Sequence, residues 1–310
     1  MPDASGYPAD TSAAPDRGAP EEDAGCEPCE SERVLFGGCA GGDLVTPCVD
    51  GVFGEPFCLN PDAGLADAST DGAEYDAAAD AGYDSGWDAG QFGDSGPDPH
   101  SDLYEGTQGL SDADLKDALY EIVKIHTGLG YDAAREVMFS DIDNDDGWVE
   151  CVYTGKRVET TCIPPSSVMN TEHTWPQSKG ASAEPARSDL NHLYPVDSSA
   201  NSRRSNNDFG WVVDVTWTEG GSKSGTDANG EVVFEPRDQH KGNAARSIFY
   251  FSIRYQMPVP RAEEEALKVW NHLDPPDDTE HARNSKIEGY QGTRNPFVDH
   301  PEFADRISDF

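Results

Sequence analysis

Three side chains that suit metal-assisted hydrolysis occur within a short stretch of the sequence. A carboxylate and an imidazole are adjacent at Glu172 and His173, and the amide of Asn201 follows 29 residues after the glutamate. A hard divalent ion such as Mg²⁺ prefers oxygen ligands and keeps several waters, so one carboxylate and one amide oxygen can hold it. Such an ion neutralises charge on a scissile phosphate, and a neutral imidazole can take a proton from the attacking water. These residue types therefore favour phosphodiester hydrolysis.

The surrounding sequence predicts the elements that bring these side chains together. Glu172 and His173 end a segment that reads as a short strand. An apolar alternation from Leu190 to Val196 indicates a second strand, which leads into a polar helix start at 198–201. A strand, a loop, a second strand and a helix are enough scaffold to place all three side chains at one point.

Further residues near this segment are candidates for binding the substrate or supporting the site. Arg204 lies three residues after Asn201 on the same helix face, where a guanidinium could clamp a phosphate with two parallel hydrogen bonds. The alternative is an ordinary surface arginine. His192 could position the substrate or the base, or satisfy a buried polar contact. Asn206 is expected to hydrogen-bond within this unit, and Trp175 either stacks on a base or packs in the core.

The two segments together resemble a known family. The patterns E-H-x-W-P, from Glu172, and D-L-N-H-L-x-P-x-x-x-x-x-N-x-x-R-x-N, from Asp189, are similar to those of endonuclease I, a family of secreted or periplasmic non-specific nucleases with a ββα-metal (His-Me finger) site. The similarity extends from about residue 112 to the C-terminus. It implies that His173 is the general base and that Glu172 and Asn201 are metal ligands, with Mg²⁺ as the cofactor and Mn²⁺ or Ca²⁺ as alternatives.

Composition divides the chain into four regions. Residues 1–25 are acidic and nearly free of large apolar groups, so they are expected to be disordered. Residues 26–60 form a small cysteine-rich module, and residues 61–105 an acidic low-complexity linker. Residues 106–310 form the nuclease-like domain. The predicted fold class is α+β: a ββα-metal finger embedded in a mixed, helix-rich domain, preceded by the disordered acidic region with its cysteine-rich module.

Periodicity predicts the other elements of this domain. The Asp-rich loop 141–147 has its glycine in the seventh rather than the sixth position, which excludes an EF-hand. A looser Ca²⁺ site and a turn built by Asn and Asp side chains remain open for it. Strands are predicted at 208–218 and near 232–234, and helices after Ser111 and at 131–139, 242–255, 261–273 and 279–289.

The charge of the chain is strongly negative. The sequence has 59 acidic and 22 basic residues, for a net charge of −37, of which −22 lies in residues 1–105 and −15 in residues 106–310. A protein that binds nucleic acid usually carries a basic footprint. Electrostatic attraction of nucleic acid depends on a local patch of basic residues rather than on the net charge. We therefore expect weak and salt-sensitive binding of nucleic acid through arginines in or near the core of the domain: Arg187, Arg203, Arg204, Arg246 and Arg254.

The seven cysteines indicate an oxidising compartment. Five lie between Cys26 and Cys58, and Cys151 and Cys162 flank a predicted hairpin, which makes both of them disulfide candidates. A zinc site is the alternative for the module, but a second C-x-x-C or a paired histidine is missing. Because five is odd, one thiol of the module is free or bonded outside it.

The sequence predicts a secreted, periplasmic or cell-surface protein. No apolar run is long enough to span a membrane, and the first residues lack the basic and apolar regions of a signal peptide. The expected function is a metal-dependent, sequence-non-specific endonuclease of DNA, with RNA as a further substrate, that leaves 5′-phosphate ends and acts as a monomer. The alternatives are an enzyme restricted to RNA and a non-catalytic surface or Ca²⁺-binding protein on a nuclease-like scaffold.

Overall fold

A computed structural model describes residues 100–310 and short strands between residues 33 and 59. The predicted disordered region 1–25 and residues 61–99 of the predicted linker lie outside the described residues. Within the cysteine-rich module, the second strand pairs antiparallel with the first and the fifth, and the third pairs with the fourth. These strands are Arg33–Cys39 (β1), Gly42–Thr46 (β2), Cys48–Val49 (β3), Val52–Phe53 (β4) and Phe57–Leu59 (β5).

Residues 100–310 combine helices with short sheets, which confirms the α+β prediction. The strands are Asn144–Asp145 (β6), Trp148–Glu150 (β7), Arg157–Glu159 (β8), Met169–His173 (β9), Leu193–Asp197 (β10), Asp208–Phe209 (β11), Asp214–Glu219 (β12), Ser222–Thr226 (β13) and Val232–Glu235 (β14). The helices are Asp112–Val123 (α1), Tyr131–Val137 (α2), Ser198–Arg204 (α3), Lys241–Tyr255 (α4), Arg261–Leu273 (α5), Asp278–Gln291 (α6) and Pro296–Asp299 (α7).

Helix α4 lies at the centre of the domain. Its side chains are buried on nearly every face, which is typical of a core helix, and α1, α5 and α7 pack around it. Gly242 permits the start of α4 to approach the end of α5 closely, because a Cβ atom at this position would lie 1.8 Å from the backbone oxygen of Asp274. The C-terminal half of α4 reaches the segment that precedes β10, so this helix supports the site.

The sheet that contains β12 differs from the prediction. The predicted strand 208–218 is interrupted between β11 and β12. Strand β13 was not predicted because Thr226 is the single residue of S-K-S-G-T that favours strands. The order in this sheet is β11-β14-β13-β12. Gly225 in β13 has no space for a side chain, since a Cβ would lie 2.0 Å from the backbone oxygen of Asp214.

The predicted strand–strand–helix unit is present. Strand β9 pairs antiparallel with β10, so that Glu172 lies opposite Tyr194 and His173 opposite Leu193. Asp197 ends β10 and caps α3, because its carboxylate accepts hydrogen bonds from the backbone N–H groups of Ser199 and Ala200 at 3.0 and 3.2 Å. Helix α3 packs against both strands.

The prediction of a disulfide at Cys151 is wrong. Cys151 is a free, fully buried thiol. Its Sγ accepts hydrogen bonds from the backbone N–H groups of Thr154 at 3.3 Å and Asp197 at 3.0 Å, which turns the side chain inward. Cys162 is disulfide-bonded, but to another partner. The β7–β8 hairpin, in which Cys151 follows the first strand and Cys162 comes after the second, is present without the bridge that was expected to close it.

The Asp-rich loop is a structural turn. Asp143 accepts hydrogen bonds from Arg283 at 2.7 and 3.1 Å. The Asn144 amide donates to the backbone oxygens of Phe139 and Thr160 and accepts from Gly147. Among residues 100–310, no three His, Cys, Asp or Glu side chains converge as a metal cage. No helix in the described part of the chain is both long and apolar enough to cross a membrane.

Candidate active site

The structure places Glu172 and His173 at one end of the β9–β10 pair, and α3 packs against both strands. Glu172 and His173 are the last two residues of β9, and Asn201 lies in the first half of α3. Arg204 follows one turn later on the same helix face, and its Nε lies 3.1 Å from Oε1 of Glu172. The contact therefore turns the Asn201 face of the helix toward the end of β9.

The His173 ring is held in the tautomer that a general base needs. Its Nε2 lies 3.0 Å from the backbone oxygen of Arg187, which can only accept, so Nε2 carries the proton. The lone pair is then on Nδ1, where the Gln177 amide nitrogen approaches to 3.4 Å. Burial, together with the neighbouring His192, lowers the pKa of His173 to about 3. The imidazole is thus neutral across the physiological pH range.

The segment that carries the Arg187 carbonyl is fixed by a buried carboxylate. Asp189 is fully buried, and its Oδ2 lies 2.8 Å from the Tyr255 hydroxyl and 3.2 Å from Nε of Arg254. Both partners belong to α4. A carbonyl two residues away therefore has little freedom to move, and the orientation of His173 depends on the packing of α4.

Glu172 is buried, with 2% of its surface exposed, but its two oxygens have different surroundings. Oε1 accepts a hydrogen bond from the Tyr153 hydroxyl at 2.9 Å and lies 3.1 Å from Nε of Arg204. No hydrogen bond from residues 100–310 reaches Oε2. Burial raises the pKa of the Glu172 carboxyl, and the Arg204 guanidinium and the Tyr153 hydroxyl offset part of that effect. A cation beside Oε2 would favour the ionised form.

Arg204, the predicted phosphate clamp, is buried in this structure. Arg204 is 1% exposed and its guanidinium is used by the protein itself. Besides the Glu172 contact, its terminal nitrogens donate to the backbone oxygens of Thr174 at 2.5 Å and Ser205 at 3.0 Å. The guanidinium carbon lies 4.7 Å from the centre of the Phe209 ring. The helix face was predicted correctly, but that face packs on β9 and is closed to the solvent.

The other candidates have supporting contacts. His192 lies in the turn before β10, fully buried, with Nε2 2.7 Å from the Ala186 backbone oxygen. It therefore makes the buried polar contact that was one of its alternatives. Trp175 is 6% exposed and stacks on Phe251 at 4.7 Å, so it belongs to the core and cannot stack on a base. Asn206 is exposed and donates to the Ser178 hydroxyl at 3.3 Å, a contact within the unit.

Three side chains near the site, Gln177, Tyr153 and Tyr131, were not singled out in the sequence. Gln177 lies four residues after His173, and its amide approaches Nδ1 of the imidazole. This spacing predicts the contact only when the position at which β9 ends is already known. Tyr153 comes from the turn after β7 and had no local signal at all. The guanidinium carbon of Arg187 lies 4.1 Å from the centre of the Tyr131 ring, which itself lies 5.5 Å from the His173 ring.

The expected patch of arginines is mostly internal. Arg204, Arg246 and Arg254 are buried in ion pairs with carboxylates. Arg203 is exposed and Arg187 is half-buried. The basic surface near the site is therefore small, because three of the five arginines neutralise buried acids.

The oxygen donors fit a hard divalent ion better than a soft one. Glu172 offers Oε2, and Asn201 is half-buried with a side chain to which no residue of 100–310 hydrogen-bonds. Mg²⁺ needs few protein ligands because it keeps several waters, whereas zinc prefers closed sets of Cys and His. The residues present could hold Mg²⁺.

Comparisons with known proteins agree with this geometry. The family model for Endonuclease I matches residues 111–302. The extracellular ribonuclease of Bacillus subtilis (strain 168) is 34% identical over 236 residues, which cover 67% of this chain and 80% of that protein. The extracellular ribonuclease of Bacillus amyloliquefaciens is 34% identical over 228 residues, 66% of this chain and 77% of its own length.

A more distant relative is the periplasmic deoxyribonuclease of Aeromonas hydrophila, which is 25% identical over 199 residues, or 60% of this chain and 84% of that protein. The family match includes β9, β10 and α3, and hence every residue of the strand–strand–helix unit. The chain is a nuclease that belongs to the Endonuclease I family.

Proposed function

We propose that this chain is an exported, Mg²⁺-dependent endonuclease that hydrolyses DNA and RNA without sequence preference. The observation that carries the proposal is the His173 ring, which burial keeps neutral and whose lone pair lies on Nδ1. Glu172, the preceding residue, keeps Oε2 free of hydrogen bonds from residues 100–310. A base with a fixed proton-accepting atom and a carboxylate with an open oxygen suit the activation of water near a metal-bound phosphate.

The protein groups have separate roles in the proposed reaction. Nδ1 of His173 takes a proton from the attacking water, and the Arg187 carbonyl keeps Nε2–H in place and stabilises the imidazolium that forms. Glu172 and Asn201 would hold Mg²⁺, which supplies charge neutralisation at the phosphate and the leaving oxygen. Departure of the 3′-oxygen leaves a 5′-phosphate and a 3′-hydroxyl.

The proposed substrate range rests on two observations. Two relatives at 34% identity are named extracellular ribonucleases, and a relative at 25% identity is named a periplasmic deoxyribonuclease. The small number of exposed cations near the site favours contact with a few phosphates rather than readout of bases. We therefore propose that both nucleic acids are cleaved and that binding is weak at high salt.

Export of this chain is a further proposal. The relatives are named extracellular or periplasmic, and Cys162 is disulfide-bonded, which is typical of oxidising compartments. The rival function, a non-catalytic surface protein, is favoured by the charge of −15 on residues 106–310. It predicts that the folded protein leaves nucleic acid intact.

Cleavage of supercoiled plasmid by the full chain separates the two functions. We expect nicking and linearisation with Mg²⁺, none with EDTA, and a loss of at least about 100-fold in Glu172→Ala. Glu302→Ala is the matched control, since Glu302 is exposed and pairs only with His300 in the described residues. Intact plasmid with folded wild-type protein at low salt would establish the non-catalytic alternative, and equal cleavage with EDTA would exclude the metal.

A further inference from the structure

The two oxygens of the Glu172 carboxylate are treated unequally by the protein. Oε1 accepts a hydrogen bond from the Tyr153 hydroxyl at 2.9 Å and forms an ion pair with Arg204, whose Nε lies 3.1 Å away. Oε2 receives no hydrogen bond from residues 100–310. Oε2 is not sealed in the interior, since it is not among the solvent-inaccessible side-chain atoms of the described residues that lack a partner. The protein therefore leaves Oε2 open to a partner from outside the chain.

The two donors come from different parts of the domain. Arg204 belongs to α3, whereas Tyr153 belongs to the turn after β7 and is fully buried. The Tyr153 ring packs on Phe234 of β14, with ring centres 4.7 Å apart, and its backbone oxygen accepts a hydrogen bond from Ser222 of β13 at 2.7 Å. Tyr153 thus ties the carboxylate to the β13–β14 sheet as well as to the helix.

A second cluster of the same composition provides an internal comparison. Asp299 accepts hydrogen bonds at Oδ2 from the Tyr104 hydroxyl at 2.7 Å and from Nε of Arg294 at 2.9 Å. Its other oxygen, Oδ1, accepts from Arg294 at 2.7 Å and from the Asn284 amide at 3.0 Å. The protein satisfies both oxygens here. Tyrosine, arginine and carboxylate therefore form a closed structural cluster at Asp299 and an open one at Glu172.

We propose that Tyr153 is a positioning residue for the metal ligand Glu172, which it holds by Oε1, together with Arg204, so that Oε2 alone faces the cation. The inference rests on the proposed metal-dependent function. Its physical basis is that groups which orient a ligating side chain contribute roughly 10- to 100-fold to metal affinity or activity. Tyr153 contacts neither the cation nor the substrate and acts through the carboxylate.

The test compares two matched Tyr→Phe variants in the full chain. Tyr153→Phe removes the hydroxyl that bonds Glu172, and Tyr104→Phe removes the equivalent hydroxyl at Asp299. Bound Mn²⁺ is counted by electron paramagnetic resonance as the loss of the free-ion signal. Because the acidic chain binds Mn²⁺ elsewhere as well, the binding that remains in Glu172→Gln is subtracted from each curve.

We expect Tyr153→Phe to weaken the Glu172-dependent Mn²⁺ site about 10- to 100-fold, while Tyr104→Phe stays within about twofold of the wild type. Excess metal should restore most of the cleavage rate of Tyr153→Phe. Equal Mn²⁺ affinity in a folded Tyr153→Phe would overturn the inference and leave the nuclease function intact. If the wild type has no Glu172-dependent Mn²⁺ site, the proposed function itself fails. If Tyr153→Phe does not fold, Arg204→Lys replaces it, with weaker Mn²⁺ binding expected and unchanged binding contradicting the proposal.

Discussion

Replacing Arg204 distinguishes a buried positioning group from a phosphate clamp. Arg204→Met keeps the length of the side chain but removes the charge opposite Glu172 and the donors to the Thr174 and Ser205 backbone oxygens. A surface arginine that waits for substrate contributes little to the stability of the free protein. A buried arginine in an ion pair contributes much, since its loss leaves a carboxylate uncompensated in the interior.

The expected cost follows from this environment. Removing one partner of a buried ion pair typically destabilises a protein by about 3–5 kcal/mol. Both members of this pair are almost fully buried, with exposed fractions of 1% for Arg204 and 2% for Glu172, so solvent screening is small. We therefore expect Arg204→Met to lower the free energy of unfolding by about 3–5 kcal/mol, most of it the penalty for the stranded carboxylate.

Urea unfolding of the full chain measures this cost, with Arg203→Met as the matched control. Arg203 is the exposed neighbour on the same helix, and its loss should change stability by no more than about 0.5 kcal/mol. In a Glu172→Gln background, Arg204→Met should cost less by about 1–3 kcal/mol, because no charge is stranded. Equal stability of Arg203→Met and Arg204→Met would refute the buried ion pair and would indicate that Arg204 is an ordinary surface arginine.

Two further predictions concern pH and salt. Burial and the neighbouring Asp208 raise the pKa of Glu263 to about 7, so the folded protein binds a proton there that the unfolded chain releases near its model value of 4.5. This stabilising contribution is present below pH 4.5 and is lost as the pH rises through 7. The free energy of unfolding of Glu263→Gln should therefore rise relative to that of the wild type by up to about 3 kcal/mol between pH 5 and 8. A constant difference between the two proteins across that range would contradict the raised pKa of Glu263. Only Arg203 and Arg187 of the five predicted arginines remain near the surface. The logarithm of the duplex-binding constant of His173→Ala should therefore fall with the logarithm of the salt concentration at a slope of about −2 to −3. A slope beyond about −6 would reveal a basic surface elsewhere.

Local sequence patterns were sufficient to predict the scaffold of the site. Helix α5 was predicted with its observed bounds, Arg261–Leu273, because its apolar residues recur at helical spacing between clear breaks. The end of β9 was predicted from a segment that reads as a short strand, and the start of α3 from the polar helix start at 198–201. These signals lie within each element, so no knowledge of the tertiary structure was needed.

Apart from the strands around β13, the errors concern contacts between distant segments. Arg204 was assigned to the correct helix face, but the sequence does not show that β9 covers that face. Cys151 was expected to close its hairpin, whereas its thiol bonds the backbone of Asp197, 46 residues away. Tyr153 reaches Glu172 only because the β7 turn folds against β10, through a hydrogen bond from Val152 to Pro195. Spacing along the chain cannot reveal such contacts.

Burial explains how a strongly acidic chain can maintain this site. Three of the arginines expected on the surface instead neutralise buried carboxylates, among them Asp189, which fixes the segment that orients His173. The negative net charge thus disfavours the binding of nucleic acid in general. The local geometry around His173, by contrast, depends on internal ion pairs. Tight binding is not required of an enzyme that releases its product after each cleavage.

The most direct test of the account is the single-turnover cleavage rate of a labelled DNA duplex by His173→Ala, with the full chain in excess and Mg²⁺ saturating. Saturation removes differences in binding, so the rate reports the chemical step alone. We expect a loss of about 10²- to 10⁴-fold, the range for general-base catalysis, with unchanged metal affinity. His272→Ala, which removes an exposed histidine paired with Asp305, should cleave at the wild-type rate. If His173→Ala cleaves within about threefold of the wild type, His173 is not the base and the proposed mechanism is wrong.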